Sequence, residues 1–199
     1  MEESDEKETR NKKITEVQTF SVPFTLGKIK ENISISTHTQ TKPSKKQIIN
    51  QAFRFHSQGN ISKAAEYYQH LINQGCNDHR VFCNYGAILK DLGKLKDAEL
   101  ATRKAIELNS NFAEAHYNLG NILRDLGKLK EAEISTRKAL EINPDYAEAH
   151  YNLGNILRGI GKEKDAVKHY TLALEKEPNN LFYYIKSKLR LSPIMNNNE

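Results

Sequence analysis

The chain has no tryptophan, only two cysteines in 199 residues, and no apolar run near the roughly 18 residues needed to cross a bilayer. Each shortage closes a class of protein. Two cysteines, Cys76 and Cys83, are too few for a disulfide scaffold, and such usage fits a reducing compartment. The opening MEESDEKETRNKK is charged where a signal peptide needs an apolar segment, so no export signal is expected and the expected location is cytoplasmic. Catalytic signatures are missing as well. The sequence contains no glycine-rich phosphate loop, no G-x-S-x-G elbow and no H-E-x-x-H pair, so no enzyme activity and no cofactor are expected. The nearest approach to a metal motif is Cys76, His79 and Cys83, which offers three ligands where structural zinc normally takes four. Two reduced cysteines beside a surface histidine is the better reading, and no metal is expected.

Charge is present but spread out. The net value is +5, yet residues 1–44 hold seven acids and seven bases, so the excess is diluted over the remaining 155 positions. Acids and bases interleave there, as in GKLKEAEISTRKALE, with no basic face of the kind that nucleic-acid domains gather. The expected partner is therefore a protein or peptide, with neither nucleic acid nor membrane.

What the chain does have is a period. DLGKLKDAELATRKAIELN at 91–109 returns as DLGKLKEAEISTRKALEIN at 125–143, and AEAHYNLGNILR occurs at both 113–124 and 147–158. More divergent copies lie at 56–74 and 159–177, which divides the chain into four units, 45–78, 79–112, 113–146 and 147–180. Each unit reads as a helical hairpin. In the third, His116, Leu119, Gly120 and Leu123 fall in one stripe of a first helix, which ends at Leu126-Gly127 because glycine accepts the left-handed C-cap conformation. A second helix is predicted from about Lys130 to Ile142, burying Ala132, Ile134, Ala139 and Leu140 at least in part, until Asn143-Pro144-Asp145 breaks it. Small residues at Gly120 and Ala132 allow the two axes to approach closely.

With those residues in place the chain resembles the tetratricopeptide repeat family. Leu119-Gly120, Ala132, Ala139 and Pro144 carry the resemblance in the third unit, and Leu153-Gly154, Ala166, Tyr170, Ala173 and Pro178 in the fourth. The departures are His116 and His150, Leu123 and Leu157, and Thr102 and Thr136 at aromatic positions, Ser110 for proline, and Gln51-Ala52 for Leu-Gly. The resemblance covers 45–180 and implies an all-α, right-handed α-solenoid of four hairpins. A hairpin of this type cannot bury its apolar face alone, so the end of the stack needs a cap. LFYYIKSKLRL at 181–191 is the expected capping helix, 192–199 a polar tail, and 1–44 a largely disordered leader.

The resemblance also implies a binding groove lined by the first helices. Opposite the core stripe the angular plot places Tyr117, Asn118 and Asn121 in the third unit, and Tyr151, Asn152 and Asn155 in the fourth. One row is complete, with Asn50, Asn84, Asn118 and Asn152 at the same repeat position, and Lys90, Arg124 and Arg158 form a basic row at its edge. An amide both donates and accepts, so such a row can hold the backbone of an extended peptide. It looks like the asparagine ladder of O-linked N-acetylglucosamine transferases and of nuclear-import receptors. A purely structural role for the same asparagines, in local helix contacts, is the competing expectation. The two-carboxylate clamp of chaperone cochaperones is not matched, since Ile49 and Phe53 occupy its Lys and Asn positions. The expected function is a non-enzymatic interaction scaffold, with the substrate-recruiting arm of a glycosyltransferase-like or other transferase system as the alternative. A monomer is expected, with self-association through the solenoid ends as its alternative.

Overall fold

The computed structural model describes residues 43–180, and these form eight helices with no strand among them. The capping helix expected at 181–191, the tail and almost all of the leader lie outside the described residues. The helices are α1 (Lys45–Ser57), α2 (Ile61–Asn73), α3 (His79–Asp91), α4 (Leu95–Leu108), α5 (Ala113–Asp125), α6 (Leu129–Ile142), α7 (Ala147–Gly159) and α8 (Glu163–Lys176). Consecutive helices pack antiparallel as hairpins, and each second helix also packs against the first helix of the next hairpin. The result is an all-helical solenoid. None of the helices among the described residues is long and apolar enough to cross a membrane.

Local chemistry explains the ends. Ser44 begins α1 with a capping box, its hydroxyl accepting from the Gln47 N–H while the Gln47 side chain accepts from the Ser44 N–H. Asn60 and Asp78 cap α2 and α3 in the simpler way. Every first helix stops at a glycine with positive φ, namely Gly59 (73°), Gly93 (73°), Gly127 (76°) and Gly161 (86°). At the third of these the Lys128 N–H reaches back to the Leu123 carbonyl at 2.8 Å, so the glycine turns the chain and the freed carbonyls keep partners. Nothing lies near the position a Cβ would take at Gly127, so replacing it tests backbone strain alone. Gly127→Ala is expected to cost about 1–2 kcal/mol of unfolding free energy in urea titration, the left-handed penalty for an L side chain.

The hairpins are held by small residues. Ala64, Ala98, Ala132 and Ala166 share one repeat position and are all fully buried. Gly86 and Gly120 lie against the Thr102 and Thr136 hydroxyls, and Gly154 against the Tyr170 ring, so closely that a Cβ would overlap each. In the last hairpin Leu153, Leu157 and Tyr170 form one buried cluster with Ala166. The structure differs from expectation at Ile134. It is 70% exposed, because the second helices bury only a narrow stripe, which in α6 is Ala132, Thr136 and Ala139.

His116 and His150 stand where the repeat would take an aromatic ring, and both have a structural task. Each ring directs Nε2 at a loop carbonyl six residues earlier, Ser110 and Pro144 respectively, at 3.0 Å in both cases. This ties the entry loop of a hairpin to its own first helix.

Candidate functional site

The four asparagines of the complete row lie on α1, α3, α5 and α7, but they are not equally open. Asn50 is exposed, Asn84 and Asn118 are half-buried, and Asn152 is 2% exposed. Their amides do not all point away from the packing, as the angular plot of an isolated helix suggests. Asn84 donates to the Tyr68 hydroxyl at 3.2 Å, and Asn152 donates to the Thr136 hydroxyl at 3.3 Å. Tyr68 and Thr136 hold the same repeat position one hairpin earlier, so these asparagines stitch each first helix to the second helix before it. The Asn152 carbonyl oxygen also accepts from the Arg124 guanidinium at 2.5 Å, which leaves both ends of that amide engaged.

Asn118 breaks the pattern. Its counterpart one hairpin back is Thr102, yet the Asn118 amide donates instead to the Cys83 sulfur at 3.2 Å. The Thr102 hydroxyl is left fully buried with no hydrogen-bond partner. Sulfur is a weak acceptor, and an unpaired buried hydroxyl costs about 1–3 kcal/mol. Asn118 is thus the least committed amide of the three that face a neighbouring helix.

The flanking residues divide in the same way. Tyr117 is half-buried and packs at a tilt against Tyr146 with ring centroids 5.0 Å apart, and Tyr151 packs on Tyr170 at 5.7 Å. Asn121 is half-buried on α5, whereas Asn155 accepts from the Tyr170 hydroxyl at 3.1 Å. In the basic row, Lys90 pairs with Asp91 and Arg124 with Asp125, both at 2.9 Å. Arg158 is exposed, and Gly159 follows it where the earlier copies carry an aspartate.

The titratable groups here are pushed away from reactivity. Burial raises the Cys83 thiol to about 12, the Glu114 charge adds to that, and the Asn118 amide opposes it. A thiol so placed stays protonated and is a poor nucleophile at neutral pH. Cys76 and Cys83 are both buried and free, and among the described residues no cluster of three or more His, Cys, Asp or Glu is placed to hold a metal. The Tyr68 hydroxyl is likewise raised to about 12 by burial, with Asn84 acting in the opposite sense. Among the described residues the face offers amide donors and acceptors, phenol rings and the exposed Arg158.

Sequence reading missed Thr102, the Cys83 sulfur and the Arg124–Asn152 bond. A signal was available in the period, because Tyr68 and Thr136 each precede the asparagine they meet by 16 positions, and Thr102 stands at the same offset before Asn118.

Comparison with known proteins agrees with the repeat. Residues 113–146 and 147–180 match the tetratricopeptide repeat family, and 86–127 match a second TPR repeat family. No curated protein sequence matches the chain. Among solved structures, YrrB, described as a TPR protein with an unusual peptide-binding site, is 22% identical with a TM-score of 0.64, covering 73% of this chain and 75% of its own. MamA from Desulfovibrio magneticus RS-1 is 21% identical with a TM-score of 0.65, covering 75% and 84%. PilF of Pseudomonas aeruginosa is 17% identical with a TM-score of 0.67, covering 76% and 69%. At such identities the likeness speaks for the fold alone. Hairpins α5–α6 and α7–α8 of this chain are tetratricopeptide repeats.

Proposed function

We propose that the chain is a protein-interaction scaffold that holds an extended peptide segment along the face of α3 and α5, through Asn84, Asn118 and Asn121. The observation that carries this reading is the amide of Asn118. It is half-buried, spends one donor on a weak sulfur acceptor, and keeps its carbonyl oxygen for a ligand. Asn50 is open on the same repeat row, Tyr117 precedes Asn118 on α5 with its ring against Tyr146, and Arg158 is exposed, whereas Lys90 and Arg124 are paired with Asp91 and Asp125. YrrB, with its peptide-binding site on a similar fold, supports the same use of such a solenoid. Asn152, Tyr151 and Asn155 contribute by holding α7 in place, since each is engaged within the fold.

A peptide backbone passing along these helices meets them about every 8–10 Å, so each amide contacts every second or third residue of an extended chain. Side-chain selectivity is correspondingly low and affinity modest. The test is affinity capture with mass spectrometry, followed by titration of the recovered segment. The variant Asn84→Ala/Asn118→Ala/Asn121→Ala is expected to weaken binding at least roughly tenfold, at about 0.5–1.5 kcal/mol per lost bond, with its helix content unchanged and its melting temperature lowered modestly by loss of the Asn84–Tyr68 bond. Undiminished binding by that variant removes the reading. Asn152→Ala is expected to register in stability instead, because it strips partners from Thr136 and Arg124.

A further inference from the structure

α5 and α7 begin with the same twelve residues, AEAHYNLGNILR, yet the asparagine at one repeat position behaves differently in each. Asn152 turns inward. Its amide donates to the Thr136 hydroxyl at 3.3 Å, and its carbonyl oxygen accepts from Arg124. Asn118 donates to the Cys83 sulfur instead, and its carbonyl oxygen meets no donor among the described residues. Because the two stretches are identical, the cause lies in the hairpin before each. The threonines are not the difference. Thr102 and Thr136 are both fully buried at the same repeat position, and each hydroxyl lies against the glycine of its own first helix, Gly86 and Gly120. Thr102 thus presents to Asn118 the acceptor that Thr136 presents to Asn152, and it goes unused.

What differs within reach of the carbonyl is the cation at the end of the preceding first helix, Lys90 before Asn118 and Arg124 before Asn152. Around these two the chain reads ILKDLGKLK and ILRDLGKLK, with no other change. Arg124 is a planar fork that serves two partners at once. Its Nε and Nη2 donate to Asp125, while Nη1 reaches across to the Asn152 carbonyl oxygen at 2.5 Å. Lys90 ends in a single nitrogen, which is spent on Asp91 at 2.9 Å. With no donor drawing its carbonyl oxygen inward, the Asn118 amide is left to turn toward sulfur. A second difference is Cys83, whose repeat position is held by Tyr117 before α7. The thiol leaves room for the amide, but sulfur is too weak an acceptor to outweigh a hydroxyl on its own.

We infer that Lys90 is a positioning residue for the peptide face, keeping Asn118 turned outward because it lacks the second donor by which Arg124 locks Asn152 onto Thr136. Only the consequence for affinity rests on the peptide-binding reading. Lys90→Arg preserves the charge and is expected to swing the Asn118 amide onto Thr102. Two measurements on the full chain follow that movement, and the first needs no peptide. Thr102→Val removes the hydroxyl at nearly constant shape. In the wild-type background that hydroxyl is unpartnered, so the urea midpoint is expected to stay level or rise. In the Lys90→Arg background the hydroxyl carries a bond, and the same change is expected to lower the midpoint. The second measurement is titration of the segment recovered by affinity capture. Lys90→Arg is expected to weaken its binding roughly threefold to tenfold, the loss of one hydrogen bond, and to change nothing when Asn118→Ala is already present. An equal response to Thr102→Val in both backgrounds overturns the inference and assigns the orientation of Asn118 to Cys83. Midpoints that diverge as expected, with binding untouched by Lys90→Arg, uphold the control of Asn118 by Lys90 and remove the peptide reading of that amide.

Discussion

Tyr170→Ala is expected to lower the unfolding free energy by about 3–5 kcal/mol, the range for deleting a large core aromatic. The Tyr170 ring is fully buried, rests on Gly154 where a Cβ would overlap it, and clusters with Leu153, Leu157 and Ala166. Its hydroxyl donates to Asn155 at 3.1 Å, and its ring packs on Tyr151. Truncation therefore opens a cavity on a glycine-lined wall that has no side chain with which to close it. Tyr170→Phe removes only the hydroxyl and is expected to cost about 0.5–1.5 kcal/mol. The contrast between the two separates packing from hydrogen bonding. Each hairpin of a solenoid contacts only its neighbours, so the loss is expected to be local. Amide hydrogen exchange should show protection falling in α7 and α8 first, while α3 to α5 keep theirs. Denaturation in urea that shifts by less than about 1 kcal/mol for Tyr170→Ala would refute this account of the last hairpin.

Much of this architecture was legible from the period. The repeated glycines foretold where each first helix stops, because only a residue without Cβ takes positive φ cheaply. The small residues at Gly120 and Ala132 foretold the close hairpin for the same steric reason. The side-chain face was less legible, and the reason is geometric. An angular plot of one helix assumes one buried arc, whereas a first helix in a solenoid has two partners, its own second helix and the one before it. Asn152 falls outside the first arc and inside the second, so it reads as open and is in fact 2% exposed. Ile134 shows the converse. Its apolar character suggests burial, but α6, like α4, turns only a stripe of Ala and Thr inward, and Ile134 outside that stripe is left in solvent. Both differences arise from stacking between hairpins, which no single unit contains.

The pair His150 and His169 is expected to make the last hairpin acid-sensitive. The Pro144 carbonyl can only accept, so the His150 Nε2 facing it at 3.0 Å carries the hydrogen. In the neutral ring Nδ1 is then an acceptor, and it lies 3.1 Å from His169 Nδ1, which must donate. The two rings are stacked at 5.3 Å, so a charge on either is felt by the other. Burial, reinforced by the charges of His150, Arg137 and Lys168 and only partly opposed by Asp165, lowers His169 from 6.5 to about 4. On the His150 side, Asp145 is already committed to Lys176 at 2.5 Å. The native state thus favours neutral His169, while the unfolded chain takes up its proton near pH 6.5. Stability from this group is complete above about pH 6.5 and is lost progressively as pH falls toward about 4, because the unfolded state binds more protons throughout that window. His169 is only half-buried, so the loss is discounted from the full shift to about 1–2 kcal/mol. For a chain of this size that is roughly 2–8 °C in melting temperature. Carboxylates held below their ordinary range, namely Asp78, Glu99, Glu133, Glu141 and Asp145, add their own losses only at lower pH. Arg103 and Lys128 hold Glu99 below the ordinary carboxylate range, and Arg137 and Lys162 do the same for Glu133 after overcoming the opposing effect of its burial, the largest single influence there. The interval from about pH 6.5 to about 5 therefore isolates the histidine. His169→Gln keeps a donor for His150 without a titrating ring, and its melting temperature should fall less over that interval than that of wild type. Parallel curves for the two proteins would mean that burial does not hold His169 neutral, because a proton taken up at its free Nε2 leaves the hydrogen between the facing Nδ1 atoms in place.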